Sequence, residues 1–286
     1  MFGNQGGSAH MMSSGAIIGQ YYPTQSIVHS LDPRAKILIC IIFMIVLFVG
    51  NNFYAFLVTG IFTLVCVFLS KVPLKMLIRG LRPIVFIMIF TMALHIFLTP
   101  GPTMFQIGPL KATWTGLMQG FFIGLRLIIL ICFTSLLTLT TSPIELTDGL
   151  EDILKPLSKI GVPAHEIAMM MTIALRFIPT LLEEADRIMK AQMSRGADFE
   201  SGNIIERAKS LVPLLVPLFV SAFRRADELA MAMEARCYRG GEGRTRMREL
   251  KMRKIDFVAI LATVIMSCFV IYTRIRFGPV LPPSMV

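Results

Sequence analysis

The chain has 286 residues, of which 55% are hydrophobic, with a mean hydropathy of +0.69 and a formal net charge of +10. This is more apolar than an ordinary soluble domain, so composition argues against a soluble enzyme and for an all-α polytopic membrane protein. The charge is uneven: residues 142–255 hold 18 Lys and Arg against 16 Asp and Glu, leaving 10 basic and 2 acidic residues to the rest, an excess that suits the positive-inside rule better than nucleic-acid binding.

The first eleven residues, "MFGNQGGSAHM", mix glycine, serine and small polar residues without pattern and precede a second Met, so they are expected to be an expression remnant outside the fold. No secretory leader is expected, since a basic region followed by an apolar stretch and a small-residue cleavage site is absent. Residues 12–34 read as an N-terminal cytoplasmic segment.

Apolar runs then occupy residues 37–49, 53–69, 84–98, about 113–141 and 257–272. Flanking residues such as Ala35, Lys36, Pro83 and Ile255 can extend the shorter runs toward the ~20 residues a perpendicular span needs. The expectation is five transmembrane helices, four within residues 35–141 and a last one at 256–276, followed by a tail at 277–286. The loop after the second run carries Lys71, Lys75, Arg79 and Arg82, whereas "GNN" after the first carries no charge and the loop after the third only Lys111. This asymmetry predicts a cytoplasmic N-terminus and an extracellular C-terminus.

Within the fourth run, Arg126 lies in "FFIGLRLIIL". An arginine at bilayer depth costs several kcal/mol unless it is paired or hydrated. It is expected to be a structural intramembrane charge, anchored to a carbonyl or carboxylate or lying near the interface.

Residues 142–255 carry too many charges to cross a membrane and too many apolar residues to be a linker. They predict a cytoplasmic helical platform against the inner leaflet, starting with a short amphipathic helix after Ser142-Pro143 and broken at Gly161-Val162-Pro163. A first long helix, kinked at Pro179, is expected to end at Arg195-Gly196. A second, bent at Pro213 and Pro217, runs from about Ile204 to Arg236. Glu145, Asp148, Glu151 and Asp152 at the start of this region could be a solvated helix turn, or could serve a Mg-dependent membrane transferase that uses Glu145, Asp148 and Asp152.

The two long helices share a pattern. Ala185, Asp186, Ala191 and Arg195 reappear 41 positions later as Ala226, Asp227, Ala232 and Arg236, with small Ser194 matched by Ala235. One arginine in a last turn is ordinary helix capping. Two in the same register, each behind a small residue that lets another backbone approach, fit bidentate grips on carboxylates of other chains.

Other chemistry finds little support. Cys40, Cys66, Cys132, Cys237 and Cys268 form no C-x-x-C pair, the four histidines are scattered, and no G-x-x-x-x-G-K-[ST] loop occurs. No catalytic, metal or cofactor site is expected in the chain. Any ATP and Mg would be bound by partner subunits.

Ser194-Arg195-Gly196 and Ala235-Arg236-Cys237 resemble the two X-Arg-Gly motifs of the transmembrane T component of energy-coupling factor transporters, the EcfT family. "SLDPRAKI", residues 30–37, resembles the segment before that family's first membrane helix, and the similarity extends over about residues 20–272. It departs at Cys237, where glycine is usual, so that turn is expected to close differently, through Gly240 or Gly241. The resemblance implies a cell-membrane subunit of a prokaryotic vitamin or micronutrient importer. Its partners would be two ABC-type ATPase subunits (EcfA and EcfA′ type), bound through Ser194, Arg195, Gly196, Ala235, Arg236 and Cys237, a substrate-binding S component that is exchanged in the shared type, and membrane lipid. A T component dedicated to cobalt or nickel is the alternative within transport.

Overall fold

The computed structural model describes residues 21–107, 110–156, 161, 163–199, 203–240 and 250–278. The first eleven residues, Gly241 and most of the C-terminal tail lie outside that set. The chain folds as α1 (Pro33–Val49), α2 (Phe53–Ser70), α3 (Leu74–Leu98), β1 (Thr103–Ile107), β2 (Leu110–Thr113), α4 (Trp114–Thr140), α5 (Pro143–Leu154), α6 (Ala164–Ser194), α7 (Ile204–Ala235) and α8 (Lys254–Phe277). It divides into two compact units: residues 151–248, and a bundle made of residues 19–150 and 249–286.

In the bundle, α1 is the central helix. Nine of its 17 residues are buried, and it packs against α2, α4 and α8. Phe43, fully buried, stacks on Phe133 of α4 with ring centroids 3.8 Å apart, and Val46, Phe56, Met266 and Val270 complete that core. Outward positions stay apolar, as a lipid-facing surface requires: Phe68 is 75% exposed and Phe86 77%. Several hydroxyls inside the helices are satisfied within them: those of Thr59, Thr63, Thr263 and Ser267 donate to carbonyls four residues back.

Asp32 caps α1 by accepting from the Arg34 amide at 2.9 Å, with Pro33 preorganising the first turn. Asp256, in the first turn of α8 and 1% exposed, accepts from the Asp32 amide at 2.8 Å and from the Arg253 amide at 2.6 Å. These are the only two carboxylates outside residues 142–255, and they join the starts of the first and last helices. Lys36 adds a third strand to this knot, donating to the carbonyls of His29 at 3.2 Å and Thr140 at 2.9 Å. "SLDPRAKI" is therefore a fastening between three helices.

Among the described residues, five helices are long and apolar enough to cross a membrane: α2, α3, α4, α6 and α8. The number is the expected one, but the membership differs. At 17 residues α1 rises about 26 Å, at the short limit for a span. Conversely, α6 has the length and apolar content of a span, whereas a surface platform is expected there; its first half carries only Glu166 and Arg176, and its dense charges begin at Glu183.

Three further differences have physical causes. The expected basic loop from Lys71 to Arg82 is mostly helix: α3 begins at Leu74, so Lys75, Arg79 and Arg82 occupy one exposed face at spacings of four and three. The hairpin β1–β2 interrupts what read as loop, and Thr113 ends it by capping α4 through the Gly116 amide. Gly116, Gly120 and Gly124 of α4 form a bare stripe against α3: a Cβ at Gly116 would strike the His95 carbonyl, one at Gly120 would crowd Met92, and one at Gly124 would just touch Met88. Small residues at spacing four let two membrane helices approach closely.

Candidate functional site

The two long helices of the other compact unit end alike. At α6, the Gly196 amide donates to the Met193 carbonyl and the Ala197 amide to the Gln192 carbonyl, both at 3.0 Å. At α7, the Cys237 amide donates to the Glu234 carbonyl at 2.8 Å and the Tyr238 amide to the Met233 carbonyl at 3.0 Å. Displaced by 41 positions, the two sets of bonds coincide. Both are Schellman turns, in which the last helical carbonyls are satisfied by a residue of left-handed backbone and the one after it.

Arg195 and Arg236 each occupy the C-cap, with φ of −91° in both, and Gly196 follows with φ +89°. Cys237 follows Arg236 with φ +55°. The second turn thus closes through Cys237 itself, not through Gly240 or Gly241 as expected. A left-handed residue with a side chain costs about 1–2 kcal/mol, less than leaving the helix end's carbonyls unpaired.

Ser194, Arg195, Gly196, Ala235, Arg236 and Cys237 are all exposed. Among the described residues neither guanidinium is in an ion pair or a hydrogen bond. Arginines that merely finish a helix can hydrogen-bond its last carbonyls. Here both project from a closed turn, with ten N–H donors available between them.

Glu184 of α6 and Arg225 of α7 form an ion pair at 3.2 Å, each about one-third exposed. These are equivalent positions of the repeat, each eleven residues before its terminal arginine. Eleven residues rise about 16 Å along a helix, so the point where α6 and α7 join is equidistant from the two tips. Sequence reading missed this pair, although the 41-residue displacement relates 184 to 225. Among the described residues of this unit, the apolar face of α7 beyond the join is open, with Val212 52%, Phe219 60% and Phe223 69% exposed.

The other candidates fall elsewhere. Arg126 donates to the Gly50 carbonyl at 3.0 Å and to Asn51 Oδ1 at 3.5 Å, with its guanidinium over the rings of Phe48 and Phe56 at 5.6 and 5.4 Å. It thus ties the middle of α4 to the turn between α1 and α2. Glu151 receives His165 Nδ1 at 2.9 Å, and Glu145, Asp148 and Asp152 are also engaged. Among the described residues no three His, Cys, Asp or Glu side chains are arranged to hold a metal ion, so the transferase reading finds no carboxylate cluster there.

A family model described as "Cobalt transport protein" matches residues 24–247. A protein of Thermosediminibacter oceani named energy-coupling factor transporter transmembrane protein EcfT is 59% identical over 257 residues, covering 90% of this chain and 97% of that relative. Relatives of the same name from Clostridium kluyveri and Bacillus subtilis are 58% and 52% identical, covering 91% and 92% of this chain and 97% and 100% of their own lengths.

Proposed function

The chain belongs to the EcfT family of energy-coupling factor transporter transmembrane proteins, and on that premise we propose that it couples two ATPase subunits to a substrate-binding membrane subunit. It is a multi-pass membrane protein and a transporter component. In the proposed reading it hydrolyses nothing itself; ATP and Mg are bound by the ATPases. Each ATPase receives one helix end, with Arg195 and Arg236 set in bidentate grips on groove carboxylates. Closure of the nucleotide-bound ATPases drives the two tips together, and motion at the Glu184–Arg225 join passes to the S component resting on the apolar platform. The N-terminus and residues 142–255 lie in the cytoplasm, and the C-terminus lies outside.

The observation that carries this reading is the duplicated turn: two exposed arginines, unpaired among the described residues, on identically closed helix ends, equidistant from one junction. Duplication suits two sockets, and closed turns transmit force without unwinding. The cargo is a vitamin or other micronutrient. A dedicated cobalt or nickel system is the second reading, favoured by the description of the matching family model.

Copurification of the intact assembly, with identification of its subunits, tests the proposal. Two ATPase subunits are expected with each copy of this chain. Several alternative S components would mark the shared type and a single one the dedicated type, whereas an assembly with no ATPase would overturn the reading.

A further inference from the structure

The bundle contains an apolar cavity of about 290 Å³ at the end where α1 and α8 begin and α2 and α4 finish. Its floor is buried, with Cys40 and Leu136 each 4% exposed and Thr263 0%. Its rim is not: Val65 of α2 is 48% exposed and Val258 of α8 64%. The cavity therefore opens sideways between α2 and α8, among residues of membrane-crossing length, where lipid tails lie.

A second, more polar cavity of about 700 Å³ shares Ile27 and Leu69 with the first and extends to Ser26, His29, Ser30 and Lys71. Lys71 is exposed and in no ion pair among the described residues. Lys36 lines the apolar cavity at 6% exposure and reaches the polar one through the carbonyl of His29; among the described residues it uses two of its three N–H groups, on the carbonyls of His29 and Thr140. Lys75, Arg79 and Arg82 continue the basic surface along the first turns of α3.

We propose that this groove holds one phospholipid with an anionic headgroup. An acyl chain fills the apolar cavity, an ester carbonyl oxygen accepts the third N–H of Lys36, and the phosphate sits in the polar chamber against Lys71. A chamber that is apolar on one side and cationic on the other matches the two halves of such a lipid. The exposed stripe on α3 raises the local concentration of anionic headgroups. A zwitterionic headgroup would place its quaternary ammonium beside Lys71 and be disfavoured. The assignment does not rest on the coupling role of the helix tips.

The test uses the full chain in detergent micelles doped with equal amounts of phosphatidylglycerol and phosphatidylcholine, with lipid retention read by mass spectrometry of the intact protein. The unaltered chain is expected to retain one phosphatidylglycerol, in at least about fivefold excess over phosphatidylcholine. Ala262→Trp, on the exposed rim of the cavity, should abolish retention of either lipid without lowering the thermal midpoint. Lys71→Glu should keep the chain-binding cavity but bring the ratio to unity or below. Equal retention of the two lipids by the unaltered chain, undiminished retention by Ala262→Trp, or the mass of a dimer that Ala262→Trp dissolves would each overturn the proposal.

Discussion

Glu184 and Arg225 meet at 3.2 Å, and each stands eleven residues before an exposed arginine that caps its helix. One ion pair thus ties the two repeats at matching positions. With both partners about one-third exposed, solvent screening limits its worth to roughly 0.2–1 kcal/mol, so its role is register more than stability. Glu184→Arg is expected to leave the thermal midpoint nearly unchanged while lowering transport at a given rate of ATP hydrolysis. Combining it with Arg225→Glu should restore coupling. Failure of the exchange to restore any transport would show that the pair does not set the geometry.

The two helix ends are closed by the same bonds, but at unequal cost. Gly196 takes φ +89° freely, whereas Cys237 takes +55° against its own side chain. Cys237→Gly is expected to stabilise the end of α7 by about 0.5–1 kcal/mol, visible as slower amide exchange at Tyr238. Gly196→Ala should loosen α6 by a similar amount. Faster exchange in Cys237→Gly would mean that the thiol contributes a contact outweighing the strain.

Asp256 is buried and receives two backbone amides, from Asp32 and Arg253. Removing the carboxylate leaves both donors without that acceptor inside the protein. Asp256→Ala should destabilise the bundle by about 2–4 kcal/mol, with a clearly lower thermal midpoint, and Asp256→Asn should recover part of the loss. An unchanged midpoint for Asp256→Ala would remove the fastening role assigned to "SLDPRAKI".

Arg126 is held by the Gly50 carbonyl and two aromatic rings, at the turn joining α1 to α2. Arg126→Gln is expected to cost about 1–3 kcal/mol of stability and to leave ATPase binding intact. Loss of ATPase binding by a stably folded Arg126→Gln protein would instead assign it a part in assembly.

Much of the bundle could be read from hydropathy because hydrocarbon requires long apolar runs. The start of α3 could not, since Lys75, Arg79 and Arg82 imitate a loop although their spacing is helical. The hairpin β1–β2 is too short to show strand periodicity, with four or five residues to a strand. The glycine stripe of α4 carried a usable signal in its spacing of four that hydropathy conceals. At the helix ends, the 41-residue displacement located both arginines. It did not predict Cys237 in the left-handed region, because residue preference there is weaker than the demand of two backbone hydrogen bonds. The fastening of Asp32 to Asp256 depends on contacts 224 residues apart, yet the scarcity of carboxylates outside the middle region already isolates these two.

The central claim is that Arg195 and Arg236 are the points at which ATPase subunits hold this chain. Copurification of both ATPases with the Arg195→Ala, Arg236→Ala double variant tests it most directly, alongside each single change and the unaltered chain in the same membrane preparation. Each charge-assisted hydrogen bond lost is worth about 1.5–3 kcal/mol, so each single variant should weaken retention roughly tenfold or more. The double variant should retain almost no ATPase while remaining in the membrane at normal abundance. A double variant that copurifies with both ATPases in normal amounts and transports normally would contradict the account.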